Sequence, residues 1–191
     1  MLSLFIFSKS RFNSFSIKAQ GFMLPKLSPI DNFDESFLLT VYASTRSKEM
    51  ALVSWSDEQK RAFLEMQFQA QHNYYLSHYP NASYSIIKLE EQPIGRLYVD
   101  RQKDKIKILD ITVLPEYRNR GVGTKLIAEI LQAGEQAEKP VQIYIESYNP
   151  SANLFSRLGF QPIAEEGINF LLQWNPNATA EMKANQAVTT A

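Results

Sequence analysis

The chain has 191 residues, 45% of them hydrophobic and 21% charged, the composition of a soluble globular protein long enough for one domain with a real core. Twenty basic and twenty acidic side chains cancel, so no overall charge draws the chain to nucleic acid or to a membrane surface, and neither is expected as a partner. There is no cysteine, which excludes disulfides, thiolate metal sites and a cysteine nucleophile and is compatible with a reducing cytosol, the expected location.

Residues 1–30 carry Lys9, Arg11, Lys18 and Lys26 and no acidic residue, which leaves 16 basic against 20 acidic groups in the rest. The opening "MLSLFIFSKSRFNSFSIKAQGF" has too short an apolar start for a secretory core, and no small-residue cleavage pattern follows it. Residues 1–22 therefore read as a disordered extension, with Met23 as an alternative start. No run approaches the ~18 apolar residues of a membrane span.

From Asp31, "DNFDESFLLTVYASTR" places Phe33, Phe37, Leu38, Val41 and Tyr42 on one helical stripe, with acidic residues in its first turn. A second helix follows in "SWSDEQKRAFLEMQFQAQHNYYLSHYP". Ser56 and Gln59 have capping-box spacing, Phe63, Met66, Ala70 and Tyr74 form the expected apolar face, and Pro80 stops the helix. The only histidines, His72 and His78, fall on different faces of that helix, and no metal site is expected.

Three strands come next, "SYSIIKL", "IGRLYVDR" and "KIKILDITVL", the last stopped by Pro115. Val122, Leu126, Ile127, Ile130 and Leu131 then mark a helix to about Ala137. "VQIYIES" is a strand, and "PSANLFSRL" a short helix between Pro150 and Gly159. "FQPIAE" and "INFLLQW" form a final strand pair, and residues 175–191 read as a disordered tail. Residues 23–174 thus form a single expected domain of α/β (α+β) class, with a mixed, mostly antiparallel central sheet flanked by helices.

The most informative stretch is "VLPEYRNRGVGTKL", residues 113–126, where a strand passes into a helix. A helix start exposes unpaired N–H groups and the positive dipole end, an anion site. Gly121 and Gly123 let a large ligand approach the backbone, Arg118 and Arg120 add forked donors suited to phosphate, and Thr124 adds a hydroxyl. The P-loop pattern is absent, and the dinucleotide fingerprint fails at Leu126, where a third glycine belongs. A pyrophosphate cradle is the reading that these residues support.

"ITVLPEYRNRGVGTKLIAEIL" resembles the acyl-CoA-binding motif of the GNAT-type N-acetyltransferases, Arg/Gln-x-x-Gly-x-Gly/Ala after a Val-x-Pro strand end, with Arg118, Gly121 and Gly123 at the motif positions. "NPSANLFSRLGF" resembles that family's second signature, and the two lie in the family's order and spacing. The resemblance covers about Ser83 to Trp174. It implies a sheet in which the strand ending near Val113 splays from the strand 141–146 to admit acetyl-CoA as co-substrate. The backbone of Ile111, Thr112 and Val113 would pair with the pantetheine arm. Asn119, Arg120, Gly121, Val122, Gly123 and Thr124 would hold the pyrophosphate together with Arg118. Asn149 would meet the pantetheine end, and Phe155 occupies the position near the sulfur. An amine acceptor is the implied second partner, and a homodimer is an assembly that family members often adopt.

Amide formation from a thioester needs a neutral amine, an oxyanion donor and a proton for the leaving thiolate. Backbone N–H groups near Val113 could serve as the oxyanion donor. With no cysteine and no paired Ser-His, direct attack in a ternary complex is favoured over a covalent acyl-enzyme. The family's usual tyrosine acid is replaced here by Phe155, which leaves Tyr148 and Tyr144 as candidate acids. The positions where family members often carry a glutamate hold Leu109 and Lys107, which leaves Glu65 and Glu146 as candidate bases. Asp110 is expected on the opposite strand face if alternation holds. Tyr42, Trp55, Gln67, Phe68, Gln71, Tyr74, Tyr75 and Tyr98 offer walls for an acceptor pocket, and Arg46 or Arg96 would suit a carboxylate-bearing acceptor. A non-catalytic acyl-CoA-binding module is the alternative from another class.

Overall fold

Two aspartates decide where the first helix begins. The Phe33 N–H donates to Asp31 Oδ1 at 2.7 Å, and the Asp31 N–H to Asp34 Oδ2 at 3.0 Å. Such local bonds compete with helical ones. Helix α1 accordingly spans Glu35–Leu52 and buries Leu38, Val41 and Tyr42. Phe33, expected on that stripe, lies outside the helix and is 92% exposed. The computed structural model describes residues 24–176, so the extension expected over 1–22 and the tail beyond 176 lie outside the described residues.

Helix α2, Asp57–His78, starts at the expected capping box. The Gln59 N–H donates to Ser56 Oγ, and the Ser56 N–H to Gln59 Oε1. Its buried face differs from the expected one. Leu64, Phe68 and Tyr75 pack against the core, while Met66 and Tyr74 are 57% and 50% exposed. The true stripe includes Gln71, a polar residue that binds Arg96 from the sheet, and this disguises the period.

The strands are β1 Pro25–Pro29, β2 Ser83–Leu89, β3 Gln92–Arg101, β4 Ile106–Val113, β5 Val141–Glu146, β6 Gln161–Glu166 and β7 Asn169–Trp174. Helix α3 spans Val122–Gln136 and α4 spans Ala152–Arg157. Strand β1 has no counterpart in the sequence reading. It is "PKLSP", a proline at each end, which an edge strand tolerates.

The order across the sheet is β1-β2-β3-β4-β5-β7-β6, and every neighbouring pair is antiparallel except β4–β5. On one face, α3 and α4 bury Leu126, Ile127, Ile130 and Phe155 against Ile87, Leu97, Ile108 and Ile143. On the other, α1 and α2 bury Leu38, Tyr42 and Phe68 against Ile86 and Tyr98. No helix among the described residues is long and apolar enough to cross a membrane.

Strands β4 and β5 pair only from Ile106↔Val141 to Ile108↔Ile143. Beyond that point Tyr144, Ile145 and Glu146 pair with β7 alone, and β4 continues to Val113 against β3 alone. The sheet therefore opens into a V. At its fork the β3–β4 register shifts: Tyr98 faces Asp110 and Val99 faces Ile108, leaving Leu109 unopposed. A bulge of this kind bends and twists the strand that carries it.

Candidate active site

The bulge overturns one expectation. Leu109 packs into the α1–α2 cluster, and Asp110 reaches the same side, where Arg96 Nη2 donates to Asp110 Oδ2 at 2.7 Å and to Gln71 Oε1 of α2 at 2.8 Å. Strict alternation would have placed them on opposite faces. Asp110 Oδ1 also accepts from Thr112 Oγ1 at 2.8 Å. Arg96 is buried and committed to this network, so it anchors β4 to α2 rather than facing an acceptor.

Past the fork, one edge of β4 is free. The Leu114 N–H donates to Ile94 O, toward β3. By alternation Thr112 turns the same way, and the N–H and C=O groups of Ile111 and Val113 face the open V. An extended amide-bearing ligand could pair there as a strand would. The Val113 carbonyl accepts from Arg118 Nε at 2.7 Å, which folds the arginine back over the end of β4.

The junction then turns through a 3-10 segment, Pro115–Tyr117, into α3. Asn119 (φ 58°) and Gly121 (φ 80°) both take the left-handed conformation, which glycine accepts at least cost. Gly121 is the N-cap; no side chain caps the helix, and its first turn holds no acidic residue. The bond from the Lys125 N–H to Gly121 O closes the first turn. The N–H groups of Val122, Gly123 and Thr124 therefore precede the helical ladder and point out of its positive end.

Val122 buries its side chain and fixes the helix start. A Cβ on Gly123 would meet only Leu154 Cδ2, at 3.7 Å, an ordinary contact. Protein packing does not demand a glycine there, whereas close approach of a ligand would. Arg120 donates to Glu116 O at 2.7 Å and lies over the Tyr117 ring, leaving its other donors outward. The residues present fit a diphosphate.

Asn149 Oδ1 accepts from the Ser151 N–H and Ser151 Oγ at the start of α4, so its Nδ2 is what it can offer a ligand. Phe155 is 1% exposed and meets Phe160 edge-on, part of the core on the α3 side.

Of the candidate catalytic residues, Glu146 and Tyr148 come together at the open end of β5. Arg46 of α1 joins them, with Nη1 3.6 Å from Glu146 Oε1 and 3.2 Å from Glu49 Oε1. Partial desolvation first, then the carboxylates of Glu146 and Glu49, raise the Tyr148 pKa, so its hydroxyl keeps its proton at neutral pH. Glu65 is exposed on α2, and the structure does not bring it to this group. Tyr144 donates to Glu166 Oε1 at 3.1 Å beside Lys107. Of the expected acceptor walls, Tyr42, Phe68 and Tyr98 are core, whereas Tyr74 and Tyr75 line a pocket with Lys107. Sequence reasoning did not find that pocket; its one signal was a lysine between Ile106 and Ile108 in an otherwise apolar strand start. Among the described residues no group of His, Asp and Glu is arranged to hold a metal ion.

Comparison with known proteins yields a consistent result. An N-alpha-acetyltransferase of Sulfurisphaera tokodaii is 32% identical over 59 residues, a match covering 29% of this chain and 35% of that protein. The chain thus spans about a third of the length of this curated relative. The PaiA N-acetyltransferase of Thermoplasma acidophilum, solved with coenzyme A, superposes with a TM-score of 0.61 at 15% identity, covering 80% of this chain and 99% of that one. An acetyltransferase of Thermus thermophilus superposes with a TM-score of 0.58 at 16% identity, covering 80% and 97%. At these identities the two structures show a shared fold. The model of the acetyltransferase (GNAT) family matches residues 48–160, which include the opened sheet, the glycine junction and α4. This chain belongs to the GNAT acetyltransferase family.

Proposed function

We propose that the protein is an N-acetyltransferase that moves an acetyl group from acetyl-CoA to a primary amine by direct attack in a ternary complex. The observation that carries this reading is the opened β4–β5 pair feeding an uncapped helix start with left-handed Gly121. Val122, Gly123 and Thr124 would hold the pyrophosphate through their N–H groups, with Asn119 shaping the turn and Arg118 and Arg120 adding charge. The Ile111 and Val113 edge would pair with the pantetheine amides, with Thr112 between them turned to β3, and Asn149 Nδ2 would face the arm from the turn after β5. Bound acetyl-CoA would supply the thioester, whose C–S bond breaks as the C–N bond forms, with the amine's proton passing to the sulfur.

The chain's own part in the chemistry is positioning and proton handling. N–H groups of the free β4 edge are donors for the thioester oxygen. Tyr148 is a candidate proton donor, and Glu146, the carboxylate beside it, could receive the amine's proton, directly or through water. A second reading, a non-catalytic acyl-CoA-binding module, is favoured by two observations: Glu146 is paired with Arg46, and Phe155 carries no donor.

Calorimetry with acetyl-CoA, CoA and ATP tests the donor assignment. The proposal expects both CoA species to bind and ATP alone not to; ATP binding without CoA binding would overturn it. A thiol-release assay over an amine panel separates catalyst from module: release with at least one amine supports transfer, and silence despite CoA binding supports the module.

A further inference from the structure

Lys107 stands at the fork of the V. It is the second residue of β4, next to Ile108, the last residue paired with β5, and its side chain turns to the α2 face. Its Nζ donates to Tyr79 Oη at 3.0 Å and lies 5.2 Å from the ring centroids of both Tyr79 and Tyr144. Tyr144 in turn donates to Glu166. Together with Tyr74 and Tyr75 these residues line a pocket of about 360 Å³, which includes the bulge residue Leu109 in its wall. That volume falls within the roughly 300–1,000 Å³ of small-molecule sites.

The polar groups of the pocket are not equally available. The Tyr75 hydroxyl is committed to the Leu109 carbonyl at 3.1 Å, and burial pushes its pKa up, so it stays neutral. Glu166 accepts from Tyr144. An ammonium has three donors, of which Lys107 gives one to Tyr79, and the Tyr79 hydroxyl, accepting that bond, keeps its own proton to donate. A cation with donors to spare, set between aromatic faces beside the fork, repels an ammonium and attracts a carboxylate.

We propose that this pocket selects the acceptor, and that the acceptor is a primary amine carrying a carboxylate, held by Lys107 Nζ and the Tyr79 hydroxyl with its apolar part against the rings of Tyr74 and Tyr144. The proposal rests on the acetyltransfer reading. Because Ile108, the last β4 residue paired with β5, and Leu109 line the pocket, a carboxylate bound at Lys107 sets an amine on the neighbouring carbon beside the point where the two strands part. The lysine also favours the neutral form of that amine, the form that can attack.

The test compares phenylalanine with phenylalaninamide as acceptors for the native chain, Lys107→Met and Lys107→Arg. The intrinsic difference in amine basicity cancels when each variant's acid-to-amide ratio of kcat/KM is set against the native ratio. The ratio falls at least about tenfold in K107M, the size of a lost charge-assisted bond, and is retained in K107R. In parallel, calorimetry with N-acetylphenylalanine and its amide shows tighter binding of the acid to the native protein and no such difference in K107M. CoA affinity, the folding control, is the same in all three proteins. Turnover with an unchanged acid-to-amide ratio in K107M overturns the pocket and leaves the acetyltransfer reading standing. Preferential acid binding without turnover of any amine supports the pocket and overturns the acetyltransfer reading. Failure of N-acetylphenylalanine to bind the native chain overturns the pocket.

Discussion

Replacing Asp110 by alanine removes one half of a pair that is almost fully desolvated. The Arg96 and Asp110 side chains are 3% and 11% exposed, and their closest atoms are 2.7 Å apart. Burial of Arg96 disfavours its charge, and the Asp110 carboxylate, together with the nearby Tyr98 and Tyr75 hydroxyls, outweighs this, so its pKa lies above the ordinary value. Without Asp110 that cation keeps Gln71 as its hydrogen-bond partner but no counter-charge. Breaking a buried pair in this way costs about 3–5 kcal/mol, a large part of the ~5–15 kcal/mol that holds a domain folded. For a chain of this length that is a fall in Tm of roughly 6–20 °C. Removing both charges together, in Arg96→Met/Asp110→Leu, recovers at least about half of the loss, because well-packed apolar replacements of a buried pair are often neutral. Urea unfolding of the native protein, D110A and the double variant measures both numbers, and unchanged m-values validate the comparison. A D110A protein within about 1 kcal/mol of native, or a double variant no better than D110A, would refute this account of the network.

Two further perturbations concern Gly95 in β3 and His72 in α2. A Cβ added at Gly95 would collide with Thr112 O and lie 3.0 Å from Val113 Cα, so Gly95→Ala must push β4 at the mouth of the V. It is expected to cost about 1–3 kcal/mol and to lower acetyl-CoA affinity as well; loss of neither in unfolding and binding measurements contradicts the close approach. His72 is the second case. Burial first, and the Arg96 cation second, lower its pKa, and its Nδ1 has no hydrogen-bond partner. The unfolded chain therefore takes up this proton first as pH drops below about 6.5, and stability declines from there to the lower native pKa, then levels off. Unfolding free energies at neutral and mildly acidic pH are expected to differ less in His72→Gln than in the native chain; an identical difference in both would show that His72 contributes no pH dependence.

The elements that sequence reasoning found are those whose local chemistry agrees with their tertiary role. Ser56 and Gln59 start α2 where their spacing predicts, and Pro150 and Gly159 bracket α4. The glycine junction was legible for the same reason: an uncapped helix start with a left-handed Gly121 is a local feature. What escaped notice depends on partners distant in sequence. Strand β1 owes its existence to pairing with β2, since "PKLSP" has no strand pattern of its own. The buried face of α2 was misread because Gln71 sits in it to meet Arg96, and the side of Asp110 was misread because the bulge at Leu109 exists only in the β3–β4 register. Lys107 gained meaning only when Tyr79, Tyr144 and Glu166 came to it from three other elements.

The central claim is that the start of α3 holds the pyrophosphate of acetyl-CoA, and Gly123→Glu tests it most directly. The added Cβ has room beside Leu154. A glutamate in the first turn of a helix is favourable, by about 0.3–1 kcal/mol from the dipole and up to roughly 1 kcal/mol from replacing glycine. The same carboxylate would stand where the diphosphate must approach. The measurement is the acetyl-CoA dissociation constant of the variant beside its Tm. The account predicts a Tm equal to or above that of the native chain and an affinity weakened at least about tenfold, or 1.4 kcal/mol. Native affinity for acetyl-CoA in a folded Gly123→Glu protein would contradict it.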